Sequence, residues 1–592
     1  MLQLMTNAQI AKILRNIAAS YTIKDEKKFR FQIIAYQKAA DTIDNTTSEL
    51  KDLYKDHKLV SLPGIGPTIS GHLEELFKTG KVKHFDWVLK GIPQSVFPLL
   101  DVPTLGPKKA YRLVTEFNLK NPTTVVFDVE KIAKSGKIAK LEGFGEKSQS
   151  DILRAISEFK KGSGKAKRMV LPFASELAEK IIDYLKRSKD ANVVIPLGSL
   201  RRMRETVGDI DIAVATENPK KVIDHFISYP YKERVIEKGP VSASLLTSGG
   251  KQVDLMTMAP ASFGSLLQHF TGSKNHNVHL REYALQIGLS LSEYGIKKRG
   301  IIEKYDTEEK FYKALGMDWI PPELRENTGE IELSLKNKLP KLVDLKDIKG
   351  DLHIHSSYPI EPSHDLGQNT MEEMLEKAIE LKYEYLGFSE HNPSISRHSQ
   401  KKIYEILAKR AEKIESLKSK YKNIKIISLM ETDILTDGNL ALSEKALSLL
   451  DAALVSIHSS FSMNKDDMAK RVLSGLSHPK AKILSHPTGR LLNSRPGYEL
   501  DFEQIFEFCK KNNKALEINS WPTRLDLPDV IVKDAVKNGV KMVINTDSHA
   551  TPQMDIMRYG VSVARRGWAE KSDILNTLPY NMFIKWINPP TL

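Results

Sequence analysis

Three aspartates in the middle of the chain have the types and spacing of a phosphoryl-transfer site. Asp209 and Asp211 lie two positions apart in the apolar run GDIDIAVAT, so a β-strand would place both carboxylates on one face. Asp254 lies in another predicted strand, after a hairpin turn. Two Mg²⁺ or Mn²⁺ ions shared by these acids would stabilise the attacking and leaving oxygens of an in-line transfer. If Asp209 and Asp211 are considered without Asp254, the alternative interpretation is an edge strand whose solvent-exposed face carries both acids.

The segment just before these acids can hold the phosphates of a nucleotide. It reads VVIPLGSLRRMRETVG, which predicts a strand, a turn at Gly198-Ser199 and a basic segment. Backbone N–H groups of the turn and the Ser199 hydroxyl can bind phosphate oxygens. Positive charge can come from Arg201, Arg202 and Arg204. The sequence therefore predicts a triphosphate site that faces the carboxylates.

Histidines form a second candidate centre in the C-terminal part of the chain. Nine of the 16 histidines lie in residues 348–592, and most follow short apolar runs, as in DLHIH, GFSEH, LVSIH, KILSH and NTDSH. Predicted strands alternate with amphipathic helices here, so the strand ends should meet at one edge of a parallel sheet or barrel. His353 and His355 can chelate one ion, and Glu431 can bridge two. One such histidine is more often structural, but five repeats predict a metal centre.

Three glycine turns in the N-terminal region share one chemistry. They are LPGIG at 62–66, VPTLGPKKA at 102–110 and LEGFGEKS at 141–148, within residues 1–165 that are predicted to be helical. Each turn precedes a helix whose first N–H groups can bind phosphate oxygens without reading bases. The candidate DNA-binding glycines are Gly64, Gly66, Gly106, Gly143 and Gly145.

Composition narrows the class of protein further. A chain of 592 residues is too long for one core, and its net charge of +14 favours a polyanionic partner such as nucleic acid. No apolar run is long enough to span a bilayer and no export signal is visible, so we expect no membrane partner. Cys509, the only cysteine, excludes an intrachain disulfide and fits a reducing compartment, so we expect a cytoplasmic protein.

The N-terminal and central motifs resemble those of family X DNA polymerases over about residues 1–325. GS…RR…GDIDI followed by VDL is similar to the palm of that family, and HFTGSKNHN at 269–277 is similar to its thumb-side nucleotide-binding segment. The glycine turns resemble helix-hairpin-helix motifs of DNA repair proteins. The resemblance implies that Asp209, Asp211 and Asp254 hold two metal ions and are catalytic. It also implies that the nucleotide contacts Gly198, Ser199, Arg202, Gly208, Phe270, Gly272 and Asn277.

The C-terminal half resembles a PHP domain, named for polymerases and histidinol phosphatases. That resemblance implies a distorted seven-stranded α/β barrel with up to three ions, which can be Mn²⁺, Zn²⁺ or Fe²⁺. The implied ligands are His353, His355, His391, Glu431, His458, His486, Asp547 and His549, with Asp365, or alternatively His364, from the first loop. Glu390 stands where the family commonly has an aspartate. His398 and His478 match no ligand position, so we predict that they are surface residues.

Together these features predict a multidomain protein with α/β and α+β parts. We expect a helical helix-hairpin-helix region, a nucleotidyltransferase-type palm with a thumb, and a C-terminal TIM-like PHP barrel. The expected divisions are 1–85 and 86–165 for two helical DNA-binding domains, 166–258 for the palm, 259–325 for the thumb, 326–347 for a linker and 348–592 for the barrel. The small and basic residues of KKGSGKAKR, 160–168, mark the boundary before the palm.

The resemblance implies a repair-type, DNA-directed DNA polymerase that fills short gaps with dNTPs. We expect a monomer that acts on gapped or primed duplex DNA. The barrel would add a 3′–5′ exonuclease, with abasic-site endonuclease and 3′ phosphatase activities as further options. Three alternatives stay open: a nucleotidyltransferase for RNA or a small molecule, a polymerase whose PHP domain is mainly structural, and a DNA-binding scaffold with inactive catalytic modules. Because His72 replaces the lysine that many relatives use for abasic-site lyase chemistry, we predict no such lyase. His269 precedes Phe270 where relatives often have an aromatic pair, which leaves sugar selectivity open.

Overall fold

The structure is a computed structural model that describes residue 5 and residues 7–44, 50–55, 57–62, 64–102, 105–158 and 168–589. The predicted boundary segment KKGSGKAKR therefore lies outside the described residues, except for its last residue, Arg168. Within these ranges, no helix is both long and apolar enough to cross a membrane.

The N-terminal region is built from helices that bury two separate apolar clusters. One cluster runs from Ile10 to Val88 and the other from Ile92 to Ile156. The helices are α1 (Asn7–Asp25), α2 (Arg30–Asp44), α3 (Leu50–Lys55), α4 (Pro67–Thr79), α5 (Lys83–Leu89), α6 (Val96–Leu99), α7 (Pro107–Glu116), α8 (Val125–Lys134) and α9 (Glu146–Glu158). Short helices joined by tight turns are what the glycine spacing predicted.

A mixed five-stranded sheet forms the central palm and carries the aspartates. Its strands are β2 (Val193–Pro196), β4 (Ile210–Ala215), β5 (Lys232–Lys238), β6 (Ser242–Thr247) and β7 (Gln252–Met258), and a small pair is formed by β1 (Met169–Val170) and β3 (Thr206–Val207). The sheet order is β2-β4-β7-β6-β5, with β4 parallel to β7 and the other pairs antiparallel. Helices α10 (Leu171–Leu185), α11 (Gly198–Arg201) and α12 (Pro219–Ile227) accompany these strands. Buried residues alternate with less buried ones along β7, so Asp254 shares the face opposite Val253 and Leu255.

The thumb follows the palm and combines helices with a small antiparallel sheet. Its helices are α13 (Phe263–Thr271), α14 (Lys274–Gln286), α15 (Glu308–Ala314) and α16 (Glu330–Leu335), and its strands are β8 (Ser290–Ser292), β9 (Gly295–Lys298) and β10 (Ile301–Glu303). The buried carboxylate of Glu308 accepts hydrogen bonds from Arg201 of the palm and from Arg325 of the thumb. The palm and thumb are thus joined by a buried ion-pair network.

Parallel strands form the C-terminal barrel, with helices outside it. The strands are β11 (Gly350–Ile354), β12 (Tyr385–Phe388), β13 (Lys425–Ser428), β14 (Glu431–Asp433), β15 (Ala453–Ser456), β16 (Ala481–Leu484), β17 (Ala515–Asn519) and β18 (Lys541–Asn545). The helices are α17 (Met371–Glu380), α18 (Gln400–Lys420), α19 (Glu444–Leu447), α20 (Lys465–Ser477), α21 (Phe502–Asn512), α22 (Asp529–Asn538), α23 (Met557–Arg566) and α24 (Tyr580–Ile587). Only Leu429 and Met430 separate β13 from β14, so the two act as one interrupted strand. A parallel bridge between Ile354 and Ser548 connects the last strand to the first, which agrees with the expected seven-stranded barrel.

The barrel is bonded directly to the palm and thumb. Arg490 in the barrel pairs with Glu205 at 2.8 Å, and the Asn493 amide donates to the Arg168 carbonyl at 2.6 Å. On α23, Arg566 donates to the Arg202 carbonyl at 2.8 Å. Similar contacts join Arg558 to Glu179 at 2.7 Å and Arg565 to Glu323 at 2.7 Å. These bonds hold the two candidate centres in one framework.

Candidate functional site

The three palm aspartates come together at the ends of two neighbouring strands. Asp211 and Asp254 are direct partners in the parallel β4–β7 register, and Asp209 immediately precedes β4. One carboxylate oxygen from each acid lies within 4.8 Å of the others. Burial, reinforced by the charges of Asp209 and Asp254, raises the pKa of Asp211 to about 7. Three crowded carboxylates of this kind fit the binding of divalent cations.

Gly198 places the predicted phosphate-binding turn against these acids. Its φ is +57°, and an added Cβ would lie 2.7 Å from Asp211 Oδ2. The Leu197 N–H also donates to the Asp211 carbonyl at 2.8 Å. Ser199 next to it is half-buried and Gly208 is exposed. A glycine is therefore required at Gly198 by both its backbone conformation and the space beside the carboxylate.

The three arginines of the turn have carboxylate partners from distant parts of the chain. Arg201 donates to both Glu308 oxygens, at 3.0 and 2.6 Å. Arg202 Nε donates to Glu326 Oε1 at 3.0 Å, and Arg204 lies 3.7 Å from Asp529 Oδ2. The sequence predicted that Arg201 could supply positive charge to a phosphate. In the structure, its guanidinium instead pairs with Glu308 and joins the palm to the thumb.

The residues predicted to line the sugar and base lie where α13 meets α14. Phe270 is half-buried, and Gly272 is buried with a Cβ position 3.4 Å from Arg202 Nη1. The Asn277 amide donates to the His269 carbonyl at 2.6 Å. Arg202 also donates to the Thr271 carbonyl at 2.5 Å. The structure thus brings the phosphate-side and base-side residues next to each other.

Glu431 is the centre of the histidine cluster in the barrel. Its Oε2 lies 3.1 Å from His353 Nε2 and 3.0 Å from His391 Nδ1. Its Oε1 lies 2.9 Å from His486 Nε2 and 3.3 Å from His458 Nε2. The two oxygens of one carboxylate therefore face two sets of histidines, as expected of a residue that bridges two ions.

The remaining predicted ligands, His355, Asp547 and His549, lie beside the histidines that face Glu431. His355 Nε2 lies 3.1 Å from Asp547 Oδ1, and the His355 ring stacks on His549 with centroids 4.1 Å apart. Ligand atoms approach within 4.8 Å in these sets: His353, His355, Glu431 and Asp547; His391, Glu431 and His458; and His355, His391 and His549.

The donor atoms of this cluster fit divalent metal ions. Several are buried and have no hydrogen-bond partner among the described residues: His353 Nε2, His355 Nδ1 and Nε2, His391 Nδ1, His486 Nδ1, His549 Nε2 and Glu431 Oε2. Burial of unpaired polar atoms is costly, and imidazole nitrogens with carboxylate oxygens are the donors that Mn²⁺, Zn²⁺ and Fe²⁺ accept. A set of bound ions would satisfy these atoms.

The first loop of the barrel contributes His364 rather than Asp365 to the cluster. His364 Nε2 lies 3.4 Å from Asp433 Oδ1, and its ring lies 4.3 Å from the His458 ring. Ligand atoms of His364, Asp433 and His458 also approach within 4.8 Å. Asp365 is exposed and joins none of the groups that the described residues form, although its charge acts on His549. Of the two first-loop alternatives, the geometry favours the histidine.

Two carboxylates that sequence reasoning missed orient the histidines. Glu517 Oε1 lies 2.7 Å from His353 Nδ1, and Asp433 Oδ1 lies 2.7 Å from His458 Nδ1. In both histidines, Nε2 then faces Glu431. Carboxylates bonded to the outer nitrogen fix the ring and raise its basicity as a ligand. The only signal for Glu517 was an acidic residue inside the apolar strand ALEIN.

Glu390 and two other histidines lie around the centre with partners of their own. Glu390 is buried and accepts hydrogen bonds from the Arg410 Nε at 2.8 Å. His398 pairs with Glu361 at 3.0 Å, and His478 pairs with Glu444 at 3.0 Å. Both histidines are half-buried and neither belongs to a metal group of the described residues, and their place as surface residues without a ligand role stays a prediction.

The glycines of the N-terminal turns are exposed and leave their backbone accessible. Gly64 and Gly143 have φ of +78° and +79°, and Gly66 and Gly106 directly precede helices that begin with proline. Gly145 directly precedes α9, which begins with Glu146. These positions suit contact with a DNA backbone.

His72 lies inside the first helical domain, where it contacts other rings. Its Nδ1 lies 2.8 Å from the Tyr36 hydroxyl, and its ring stacks on His84 with centroids 4.8 Å apart. Burial and the neighbouring His84 lower the pKa of His72. The absence of lyase chemistry at this residue stays a prediction.

The fold and the two centres define a class of enzyme. A nucleotidyltransferase palm with a DNA-binding helical region is joined to a metal-dependent phosphoesterase barrel. Models of known families match the chain accordingly: a helix-hairpin-helix domain at residues 5–82, a DNA polymerase beta thumb at 266–326 and a PHP domain at 351–521.

Similar proteins cover the whole chain or parts of it. The chain is 34% identical over 579 residues to the DNA polymerase/3′-5′ exonuclease PolX of Bacillus subtilis (strain 168), covering 97% of each chain. It is 20% identical over 352 residues to DNA polymerase lambda of Rattus norvegicus, covering 54% of this chain and 56% of the relative. A probable phosphatase of Thermoanaerobacter sp. (strain X514) is 24% identical over 237 residues, covering 38% of this chain and 89% of the relative. The chain belongs to the family X DNA polymerases that carry a C-terminal PHP domain. Both of its catalytic domains therefore depend on divalent metal ions, and its helical region and thumb bind DNA.

Proposed function

We propose that this protein is a repair-type DNA polymerase that fills short gaps and trims the 3′ end that it extends. The observation that carries the proposal is the register of Asp211 with Asp254 beside Gly198, joined in one chain to the histidine cluster around Glu431. Full-length similarity to a polymerase with a 3′–5′ exonuclease supports the same combination of activities.

In the palm, we assign the three aspartates to catalysis and metal binding. Two Mg²⁺ or Mn²⁺ ions would stabilise the charge that develops on the transferred phosphate. Asp254 would orient the primer 3′ hydroxyl and favour its deprotonation. The incoming dNTP would contact Gly198, Ser199, Arg202 and Gly208 with its triphosphate, and Phe270, Gly272 and Asn277 with its sugar and base.

In the barrel, we assign the ligands found around Glu431 to a phosphodiesterase centre. Bound Mn²⁺, Zn²⁺ or Fe²⁺ would activate water for cleavage of the terminal 3′ phosphodiester. Glu517 and Asp433 would hold His353 and His458 in the ring orientation that faces the ions. The same centre could act on abasic sites or 3′ phosphates.

The substrate that we propose is gapped or primed duplex DNA, gripped along its backbone by the glycine turns. We also propose that the protein is a cytoplasmic monomer. The domain limits that we propose are 1–85, 86–165, 166–258, 259–325, 326–347 and 348–592. A nucleotidyltransferase for RNA or a small molecule is less well supported, because such an enzyme has no use for a helical duplex-binding region and a polymerase thumb.

An experiment on one gapped, primed duplex separates the two centres. Asp254→Ala is expected to abolish primer extension and leave 3′ degradation, and the double variant His353→Ala/His355→Ala is expected to do the reverse. Asp183→Ala and His398→Ala are matched controls, because the former is an exposed palm acid and the latter lies outside the metal groups. Loss of both activities in either test variant would contradict the assignment of two independent sites.

A further inference from the structure

The loop after β17, residues 520–528, lies against the metal centre of the barrel. The Trp521 ring lies 6.3 Å from the His549 ring, and Arg524 Nε lies 3.7 Å from Asp547 Oδ2. The loop begins after Asn519, whose amide donates to Asp547 Oδ2 at 3.1 Å. In barrels of this kind, loops at the carboxyl ends of strands bind the substrate. No ligand position that we assigned to the centre lies in this loop.

Arg524 brings a positive charge to a centre that must bind an anionic phosphodiester. Its side chain is partly accessible at 19% exposure, and it approaches Asp547 without a hydrogen bond in the described structure. A guanidinium in this position can bind phosphate oxygens through two N–H groups.

A second arginine and a tyrosine, Arg495 and Tyr498, lie within electrostatic range of Arg524. Arg495 Nε and the Tyr498 hydroxyl are buried and have no hydrogen-bond partner among the described residues. The Arg495 guanidinium lies 4.0 Å above the Phe461 ring and donates to the Gly489 carbonyl at 2.7 Å, so its position is fixed. Buried donors without partners favour an anionic ligand that supplies acceptor oxygens.

Trp521 offers an aromatic surface next to Arg524. Its side chain is half-buried, and its ring meets the His549 ring edge to face at 65°. Nucleobases of single strands stack on such rings without regard to base identity. The loop therefore combines the two chemical groups that a terminal nucleotide requires, one for its base and one for its phosphate.

We propose that Trp521 and Arg524 bind the 3′-terminal nucleotide of a DNA strand in the barrel. The indole of Trp521 stacks on the terminal base, and the guanidinium of Arg524 binds the phosphodiester next to that base. Arg495 supplies a second positive charge. The site accepts any base and binds an end without a base more weakly. This inference rests on the proposed exonuclease function and adds the group that recognises its substrate.

Binding is tested without cleavage, in EDTA, with a single-stranded oligonucleotide that carries 2-aminopurine at its 3′ end. Stacking on Trp521 is expected to quench the fluorescence of 2-aminopurine in the wild type and in Trp521→Phe. Trp521→Ala should lose the quenching, and Trp586→Ala, which removes a half-buried tryptophan on α24, should keep it. Equal quenching in the wild type and Trp521→Ala, or none in the wild type, would overturn the proposal.

Exonuclease kinetics with Mn²⁺ give the second readout. The wild type should have a KM about tenfold lower for a natural 3′ end than for an end that carries a tetrahydrofuran abasic analogue. Trp521→Ala should remove this preference with little change in kcat. Arg524→Gln should raise KM about tenfold for both ends, and Arg524→Lys should restore part of the affinity. Unchanged KM values in Trp521→Ala and Arg524→Gln would refute the site.

Primer extension distinguishes this site from a general defect. Extension by the four loop variants, two at Trp521 and two at Arg524, should match the wild type, because the loop lies outside the palm. A wild-type protein without any exonuclease activity would instead contradict the proposed function, and the 2-aminopurine measurement in EDTA would still decide whether the loop binds a terminal base.

Discussion

Replacing Glu308 with glutamine is expected to loosen the thumb, because its carboxylate neutralises two arginines. The Glu308 side chain is 3% exposed and Arg325 is fully buried. Arg201 donates to Glu308 at 2.6 and 3.0 Å, and Arg325 donates at 2.6 Å. Removing one partner of a buried pair leaves charge without compensation, which costs about 3–5 kcal/mol.

The pKa of Glu308 gives a second measure of the same interaction. Burial by itself raises this pKa, but Arg325 and Arg201 outweigh burial and lower it from 4.5 to about 2. That difference corresponds to about 3 kcal/mol of stability. Because the pKa is lower in the folded state, the contribution is complete above about pH 4.5 and is lost as the pH falls toward 2. The difference in free energy of unfolding between the wild type and Glu308→Gln should therefore decrease as the pH falls over that range.

Hydrogen exchange measured by mass spectrometry reports this local effect in a multidomain protein. Peptides from α15 and α16 should exchange about 100-fold faster in Glu308→Gln than in the wild type at neutral pH. Glu309→Gln is the matched control, because this neighbour in the same helix is exposed. Exchange in Glu308→Gln that equals exchange in the control would refute the reasoning.

Three further perturbations test other parts of the molecule. Gly198→Ala should lower primer extension at least about tenfold, since its Cβ would meet Asp211 Oδ2 and its φ is positive; extension at the wild-type rate would contradict this. Glu517→Gln should weaken Mn²⁺ binding by the barrel about 10–100-fold in titration calorimetry, because His353 loses its support, and the exposed Glu503→Gln should not. Affinity for gapped duplex, followed by fluorescence anisotropy, should fall about 10³-fold or more between 50 and 200 mM salt; a flat salt response would exclude binding through the DNA backbone.

The palm centre could be predicted from sequence because its residues are close together in the chain. Asp209 and Asp211 share one strand, and Gly198 lies a short turn away. Asp254 follows on the strand that pairs with β4, so its place in the register was the only long-range step. The histidine cluster was predictable for a related reason, since its histidines lie at or shortly after the ends of strands.

What the sequence did not reveal depends on partners that are far apart in the chain. The carboxylates that bind Arg201 and Arg202 lie more than 100 residues away in the sequence. The residues next to the arginines in the sequence therefore did not indicate that both already have carboxylate partners. Glu517 reaches His353 across the barrel in the same way. The choice between His364 and Asp365 depended on how a long loop folds, which two adjacent polar residues do not determine.

The bonds between α23 and the palm have a consequence for proofreading. Arg566 and Arg490 attach the barrel to the palm, so if these bonds persist on DNA, the primer end would have to travel between the centres while the domains stay in place. To leave the palm, the primer terminus has to fray, and each base-pair step that opens costs on average about 1.4 kcal/mol of stacking. A mismatched terminus has weaker pairing and stacking, so it frays at a lower free-energy cost. Competition between fraying and the next addition would then decide which ends are removed, so the stability of the last base pairs would itself act as the error sensor.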